Sequence, residues 1–312
     1  MSRAEPLLCG VELGGSKCVC LIGTGPDGIL AQRAIPTTHD ADETLRRIAD
    51  VLRNWQETYG PFAAIGIASF GPLDLRAGSR TFGQITSTVK PGWGGIDIYA
   101  RLGPVHGVPV GFNTDVNAAA LAEGRWGGAR ELADFAYITV GTGVGVGLVV
   151  GGKTLFGCNH PELGHVRIAR RAGDLWPGIC SFHGDCVEGL ASGPAIAARV
   201  GLLPEEIPDD NRVWELAAHA LAQLVQTLIL ATAPWRILVG GGVVQARPQI
   251  LGHIRRLLIE SLNGYLDLEA LTGGVDRYVV APDLGMLAGP LGALALAEDA
   301  YATSQPARMR EL

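Results

Sequence analysis

Two stretches of this chain share one uncommon pattern: an apolar strand, a glycine-rich turn holding a hydroxyl residue, and a second apolar strand. They are LLCGVELGGSKCVCLIG near the beginning and FAYITVGTGVGVGLVVGG near the middle. A strand on each side of the turn predicts a hairpin, whereas a dinucleotide fingerprint needs a helix after its glycines. Occurring twice, the pattern predicts a chain of two related halves. The 44 glycines gather at such strand ends, where a backbone without Cβ turns sharply and lets a ligand approach.

Strands alternate with helices through the rest. ILAQRAIPT reads as a third strand, and ADETLRRIADVLRNWQETYG has helical apolar spacing at Leu45, Ile48, Leu52 and Trp55. FAAIGIASFGPLDL is a buried strand ending in Gly71 and Pro72, VPVGFNTD is another, and VNAAALAEGRWGG is an alanine-rich helix closed by glycine. In the second half come a long apolar helix, NRVWELAAHALAQLVQTLILAT, a strand running into three glycines, WRILVGGGVV, and helices over 249–262 and 285–302. This order predicts an α/β chain that binds ligands at the ends of its strands.

At 312 residues and 47% hydrophobic, the chain can bury the cores of two domains. Its 25 basic and 31 acidic residues give a net charge of -6 with no basic stripe, which argues against a nucleic-acid partner. No apolar run is expected to approach the ~20 residues that span a bilayer, and Leu7 to Leu13 is too short and too interrupted by Glu12 for an export signal. A cytoplasmic protein with no membrane partner is expected. Six cysteines in such a chain fit reduced thiols better than disulfides, with Cys9, Cys18 and Cys20 in apolar strand sequence reading as core. Cys158 stands near the metal-binding candidates but out of spacing with them.

Those candidates lie in PELGHVRIARRAGDLWPGICSFHGDCVE, residues 161–188. His165, Cys180, His183 and Cys186 form the two-nitrogen, two-sulfur set of a closed tetrahedral zinc site, which leaves no open position and so predicts a structural ion. Glu162 and Glu188 bracket these ligands. The turns Gly14-Gly15-Ser16-Lys17 and Gly141-Thr142-Gly143-Val144-Gly145 read either as tight hairpins or as anion cradles, in which backbone N–H groups and the Ser16 and Thr142 hydroxyls meet phosphate oxygens. Asp115 follows a strand and opens a helix. It is either an N-cap or a general base that takes a proton from a hydroxyl attacking a γ-phosphate, with Asn113 and Asn117 on either side. Gly240 to Gly242 serve either close packing or the approach of a flat ring or phosphate. The Ser192-Gly193-Pro194 turn carries a weaker signal.

Together these segments resemble the ROK family of sugar kinases and regulators over nearly the whole chain. VELGGSK is similar to its first phosphate motif, NTDVNAAALAE to the catalytic-base motif, ITVGTGVGVGLVVGG to the second phosphate motif, PELGH to the sugar and metal motif, and LVGGG to the adenosine motif. The resemblance implies an actin-like ATPase (ribonuclease H-like) fold with two α/β domains around a central cleft. The smaller domain would hold residues 1–116 with about 288–312, and the larger 117–287 with the zinc loop. Glu12 where aspartate is common, Thr114 where glucokinases have asparagine, and the CSFHGDCVEGLASGPA loop resemble the bacterial fructokinase branch. Thr114 removes an amide from the sugar site and so disfavours glucose, while Glu12 keeps a carboxylate for magnesium.

By the same resemblance Asp115 is the base, and Gly71, Asn117, Glu162, His165 and Glu188 line the sugar. Gly14, Gly15, Ser16, Lys17, Thr142, Gly143, Pro194, Gly240, Gly241, Gly242, Val243 and Val244 contact ATP or its magnesium. Zinc would fix the tautomer and ring orientation of His165. The implied activity is ATP-dependent phosphorylation of fructose at its 6-hydroxyl, with glucose, mannose or an N-acetylhexosamine as alternative substrates. A sugar-sensing regulator is the alternative of another class. Regulators of the family carry a winged-helix domain before the first motif, and with about eleven residues before Glu12 none is expected here. The family also implies a homodimer.

Overall fold

Each glycine-rich turn closes a hairpin at the centre of its own five-stranded sheet. The structure, a computed structural model, describes residues 6–269 and 273–305. The chain divides into two units, the first made of Met1–Arg125, Phe156–His160 and Leu287–Leu312, the second of Trp126–Leu155 and Pro161–Met286. Residues 1–5 and 306–312 of the expected smaller domain, and 270–272 of the larger, lie outside the described residues.

In the first unit β1 (Leu8–Leu13), β2 (Lys17–Gly23) and β3 (Ile29–Pro36) form an antiparallel meander, and β4 (Ala64–Ser69) and β5 (Val110–Thr114) add in parallel on the other side of β1, giving the order β3-β2-β1-β4-β5. The second unit repeats this plan. Its β6 (Phe135–Val140), β7 (Val144–Val150) and β8 (Lys153–Thr154) are the meander, β9 (Arg236–Gly240) and β10 (Val279–Val280) the parallel additions, and the order is β10-β9-β6-β7-β8. The two related halves read from the turns are therefore one topology used twice. β8 and β10, two residues each, are too short to leave a periodic signal and were not foreseen.

Helices cover the sheets. Ala41–Tyr59 is capped by the Asp40 carboxylate, which accepts from the Glu43 N–H, and it buries Leu45, Ile48, Leu52 and Trp55 as their spacing predicts. The helix Ala288–Ser304 lies on β1, β4 and β5. It can come close because Gly10, Gly66 and Gly111 stand in register across these three strands. A Cβ at Gly66 would overlap the Ala293 carbonyl oxygen, one at Gly111 the Leu296 carbonyl oxygen, and one at Gly10 would stand 2.8 Å from Leu294 N. The same helix meets Asp115–Trp126 at Gly292, where a Cβ would overlap Ala118, and Arg125 ties the two with ion pairs of 2.6 Å to both Glu298 and Asp299. That packing carries the unit boundary to the end of the helix Asp115–Trp126, after Arg125, where the sequence placed it at 116.

In the second unit Arg212–Thr232 packs against Ile250–Leu262 over the core. By length and composition Arg212–Thr232 could cross a membrane, which corrects the expectation that no run reaches that length. Its Val213, Trp214, Leu221, Leu224, Val225 and Leu228 are buried in the core cluster instead, so its apolarity serves packing.

Candidate active site

Asp115 is the first residue of its helix, directly after β5, and its Oδ1 accepts from the Val116 N–H at 2.8 Å. Desolvation by burial pushes its carboxyl up to about 6, against the lowering effect of its hydrogen bonds from the Val116 and Asp115 backbone N–H groups. Beside it stands Glu12, near the end of β1. Burial first, then the charge of Asp115, raise the Glu12 carboxyl to about 8, with Lys17 opposing. Two neighbouring carboxylates whose environments both disfavour ionisation mark a place built for a proton or a cation. Asn117 is buried, and its amide donates to Asn113 Oδ1 at 2.9 Å, which braces the Asn113 side chain. Gly71 lies two residues beyond β4. The segment after it is held by His160, whose Nε2 accepts from the Leu73 N–H at 2.9 Å.

The first glycine turn is anchored by its carbonyl oxygens. Thr37 Oγ1 donates to Gly14 O at 2.8 Å, Thr37 N–H donates to Ser16 O at 3.0 Å, and the Lys90 ammonium donates to Gly15 O at 2.6 Å. Ser16 and Lys17 are exposed at its tip. Tying back three consecutive carbonyls gives the turn a fixed shape, which an anion cradle of backbone N–H groups requires. Neither Thr37 nor Lys90 was foreseen. The sequence signal for Lys90 is only its place before Pro91 and Trp93, whose indole N–H donates to Thr38 O at 2.8 Å and so pins the Lys90 loop to the strand-end segment that holds Thr37.

In the second unit the turn Gly141–Gly143 meets the two other predicted nucleotide segments. Gly193 N–H donates to Gly141 O at 2.8 Å, and a Cβ at Gly193 would stand 3.2 Å from that oxygen and 3.5 Å from Val243 Cγ2. Gly241 has a φ of 91° and lies so near Val140 that a Cβ would stand 2.5 Å from its backbone nitrogen, so only glycine fits. Gly240 pairs with Thr139 on β6, and Gly242 opens the short helix Gly242–Ala246. Thr142 and Pro194 are exposed, whereas the side chains of Val243 and Val244 are buried, which leaves only their backbone for a ligand.

PELGH packs on the same turn through Gly164, where a Cβ would overlap Val144 O. Glu162 is exposed just before the short 3-10 turn that carries His165. His165 Nδ1 lies 3.6 Å from both Cys180 Sγ and Cys186 Sγ, and His183 Nδ1 lies 3.7 Å from Cys180 Sγ. All four ligand atoms fall within 4.8 Å of one another. Bonds of ~2.0 Å to nitrogen and ~2.3 Å to sulfur in a tetrahedron put N and S about 3.5 Å apart, so these residues fit one tetrahedral ion. Glu188 links the cluster to the turn: Oε2 accepts from the Val144 N–H at 3.1 Å and Oε1 lies 3.9 Å from His165 Nε2.

Known proteins resemble this chain over nearly its whole length. A putative fructokinase of Bacillus subtilis (strain 168) is 42% identical over 294 residues, 94% of this chain and 96% of that protein. The fructokinase of Pediococcus pentosaceus is 38% identical over 94% of this chain and 98% of its own length. Among solved structures, a ROK hexokinase from Thermus thermophilus superposes with a TM-score of 0.74 at 27% identity, over 96% of this chain and all of that one. Residues 8–300 match the ROK family, and the chain belongs to it.

Proposed function

We propose that this protein is an ATP-dependent fructokinase that transfers the γ-phosphoryl group of ATP to the 6-hydroxyl of D-fructose, with Asp115 as general base. One observation carries this reading: Asp115, fixed at a strand end, has a carboxyl raised to about 6 by desolvation, which suits a base that is ionised at neutral pH yet basic enough to receive a hydroxyl proton. The named fructokinases among its relatives support fructose over other hexoses, as does Thr114 in place of an amide beside the base.

In this reading the 6-hydroxyl gives its proton to Asp115 as its oxygen bonds to the γ-phosphorus, and ADP leaves with the electrons of the broken P–O bond. The Val116 N–H holds the carboxylate in place. The anchored turn at Gly14–Lys17 and the turn at Gly141–Gly143 meet phosphate oxygens, while Gly240–Gly242 and the backbone of Val243 and Val244 take the adenosine side. Gly71, Asn117, Glu162, His165 and Glu188 hold the sugar. Glu12 would hold magnesium, its hard oxygen donors fitting that ion; magnesium neutralises phosphate charge when it comes in with ATP. Zinc on His165, Cys180, His183 and Cys186 would leave His165 Nε2 on the side of Glu188. A cytoplasmic homodimer completes the proposal. The six free cysteines support a reducing compartment.

The test is ADP release by the purified protein with Mg-ATP across fructose, mannose, glucose and N-acetylhexosamines. Fructose should give the highest kcat/KM. Release with none of the sugars refutes a kinase, and a higher value for another hexose reassigns the substrate.

A further inference from the structure

The Glu12 carboxylate reaches its position over one residue that the phosphoryl-transfer motifs do not include. Gly10 and Glu12, two residues apart on β1, point to the same face of the sheet. Gly10 faces Leu294 and Ala293 on the helix Ala288–Ser304, and Glu12 faces Gly289 in the first turn of that helix. Where Gly10, Gly66 and Gly111 let the helix ride close, the gap left for a side chain at Glu12 is set by what stands at position 289. A Cβ built on Gly289 would overlap Glu12 Oε1 and stand 2.5 Å from Cδ and 3.1 Å from Oε2; the three nearest atoms all belong to that carboxylate.

We propose that Gly289 is a positioning residue for Glu12: its missing side chain is the space in which the longer glutamate carboxylate lies beside Asp115. The inference rests on the reading of Glu12 as a group serving Mg-ATP. The nearest atoms that an alanine at 289 meets are the far end of a flexible side chain, so the fold absorbs it by turning the Glu12 carboxylate aside. Its effect falls on the site and leaves the core intact. Aspartate at position 12, one methylene shorter, clears the same alanine.

The experiment compares the parent chain, Gly289→Ala, and Gly289→Ala combined with Glu12→Asp. It uses thermal melting, calorimetric titration of a non-hydrolysable ATP analogue with and without MgCl2, and kcat with fructose. Gly289→Ala should melt like the parent, lose most of the magnesium-dependent gain in nucleotide affinity, and fall ~10²-fold in kcat, the scale of a displacement of about 1 Å in a reacting group. Adding Glu12→Asp should restore the magnesium-dependent gain and at least part of kcat. If Gly289→Ala does not fold while the double variant does, the steric fit of Glu12 to Gly289 stands, but its confinement to the site is overturned. The proposal is overturned if Gly289→Ala binds and turns over as the parent does, or if the double variant stays impaired or unfolded. A parent chain that releases no ADP sinks the fructokinase reading instead, and the calorimetric arm still judges the fit of Glu12 to Gly289.

Discussion

Glu188 Oε2 accepts a 3.1 Å hydrogen bond from the backbone N–H of Val144, while Oε1 of the same carboxylate lies 3.9 Å from His165 Nε2. One side chain thus joins the histidine of the four-donor cluster to the second glycine turn. Gly143 keeps the join close, since a Cβ there would stand 2.5 Å from Oε2. Glu188→Gln retains the shape and removes the charge. A hydrogen bond to a charged group contributes ~1.5–3 kcal/mol, so KM for both ATP and fructose should rise about tenfold or more. A rise for fructose alone in steady-state kinetics would show that the Val144 contact does not serve the nucleotide.

Asp115 must be ionised to accept a proton, and its carboxyl is raised to about 6. Activity is therefore full above that value and falls as pH drops through it, about tenfold per unit further down. The pH profile of kcat/KM should include an acidic limb centred near 6 from Asp115, separate from the titration of Glu12 near 8. Asp115→Asn should remove the limb and cost ~10²–10⁴ in kcat while fructose still binds, as read by calorimetry. An unchanged acidic limb in the asparagine variant would take Asp115 out of the base role.

Lys90 donates to Gly15 O at 2.6 Å and sits 3.5 Å from Thr37 O, bracing the first glycine turn from behind. Lys90→Met keeps the aliphatic stem and loses the charge-assisted bond of ~1.5–3 kcal/mol. KM for ATP should rise about tenfold with KM for fructose unmoved. Equal shifts in both would mean that the variant loosens the unit as a whole.

Gly66→Ala forces a methyl group into the Ala293 carbonyl and within 2.6 Å of Ala297 N, both backbone atoms of a packed helix. Overpacking of this kind costs ~1–3 kcal/mol or more. The urea midpoint should fall with an unchanged slope. A midpoint equal to that of the parent would mean that the C-terminal helix can lift from the sheet without cost.

The purified chain should carry one zinc ion per molecule by metal analysis. Cys180→Ser should lose it and lower the melting temperature, because ion binding to the folded loop adds directly to its stability. Stoichiometric zinc retained in Cys180→Ser would place the ion elsewhere.

The hairpins and the helix Ala41–Tyr59 were legible in the sequence because their signals are local. An apolar-glycine-apolar stretch makes a hairpin whatever surrounds it, and a 3.6-residue spacing of Leu45, Ile48, Leu52 and Trp55 names its own buried face. The four sulfur and nitrogen donors were legible for a related reason, since Cys180, His183 and Cys186 lie within one short loop and their chemistry points to one use. Neither pattern says what lies across the core.

The tertiary structure alone decided that Lys90, 75 residues from Gly15, holds the first turn, that His160, 87 residues from Leu73, holds the segment after Gly71, and that Gly289 makes room for Glu12. It also decided that Val243 and Val244 keep their side chains in the core. What the sequence determined was which residues have side chains suited to the proposed chemistry and which local shapes they adopt. What packing determined was the supports of those residues, because a contact between distant segments depends on sheet order and helix approach, and no window of sequence contains either.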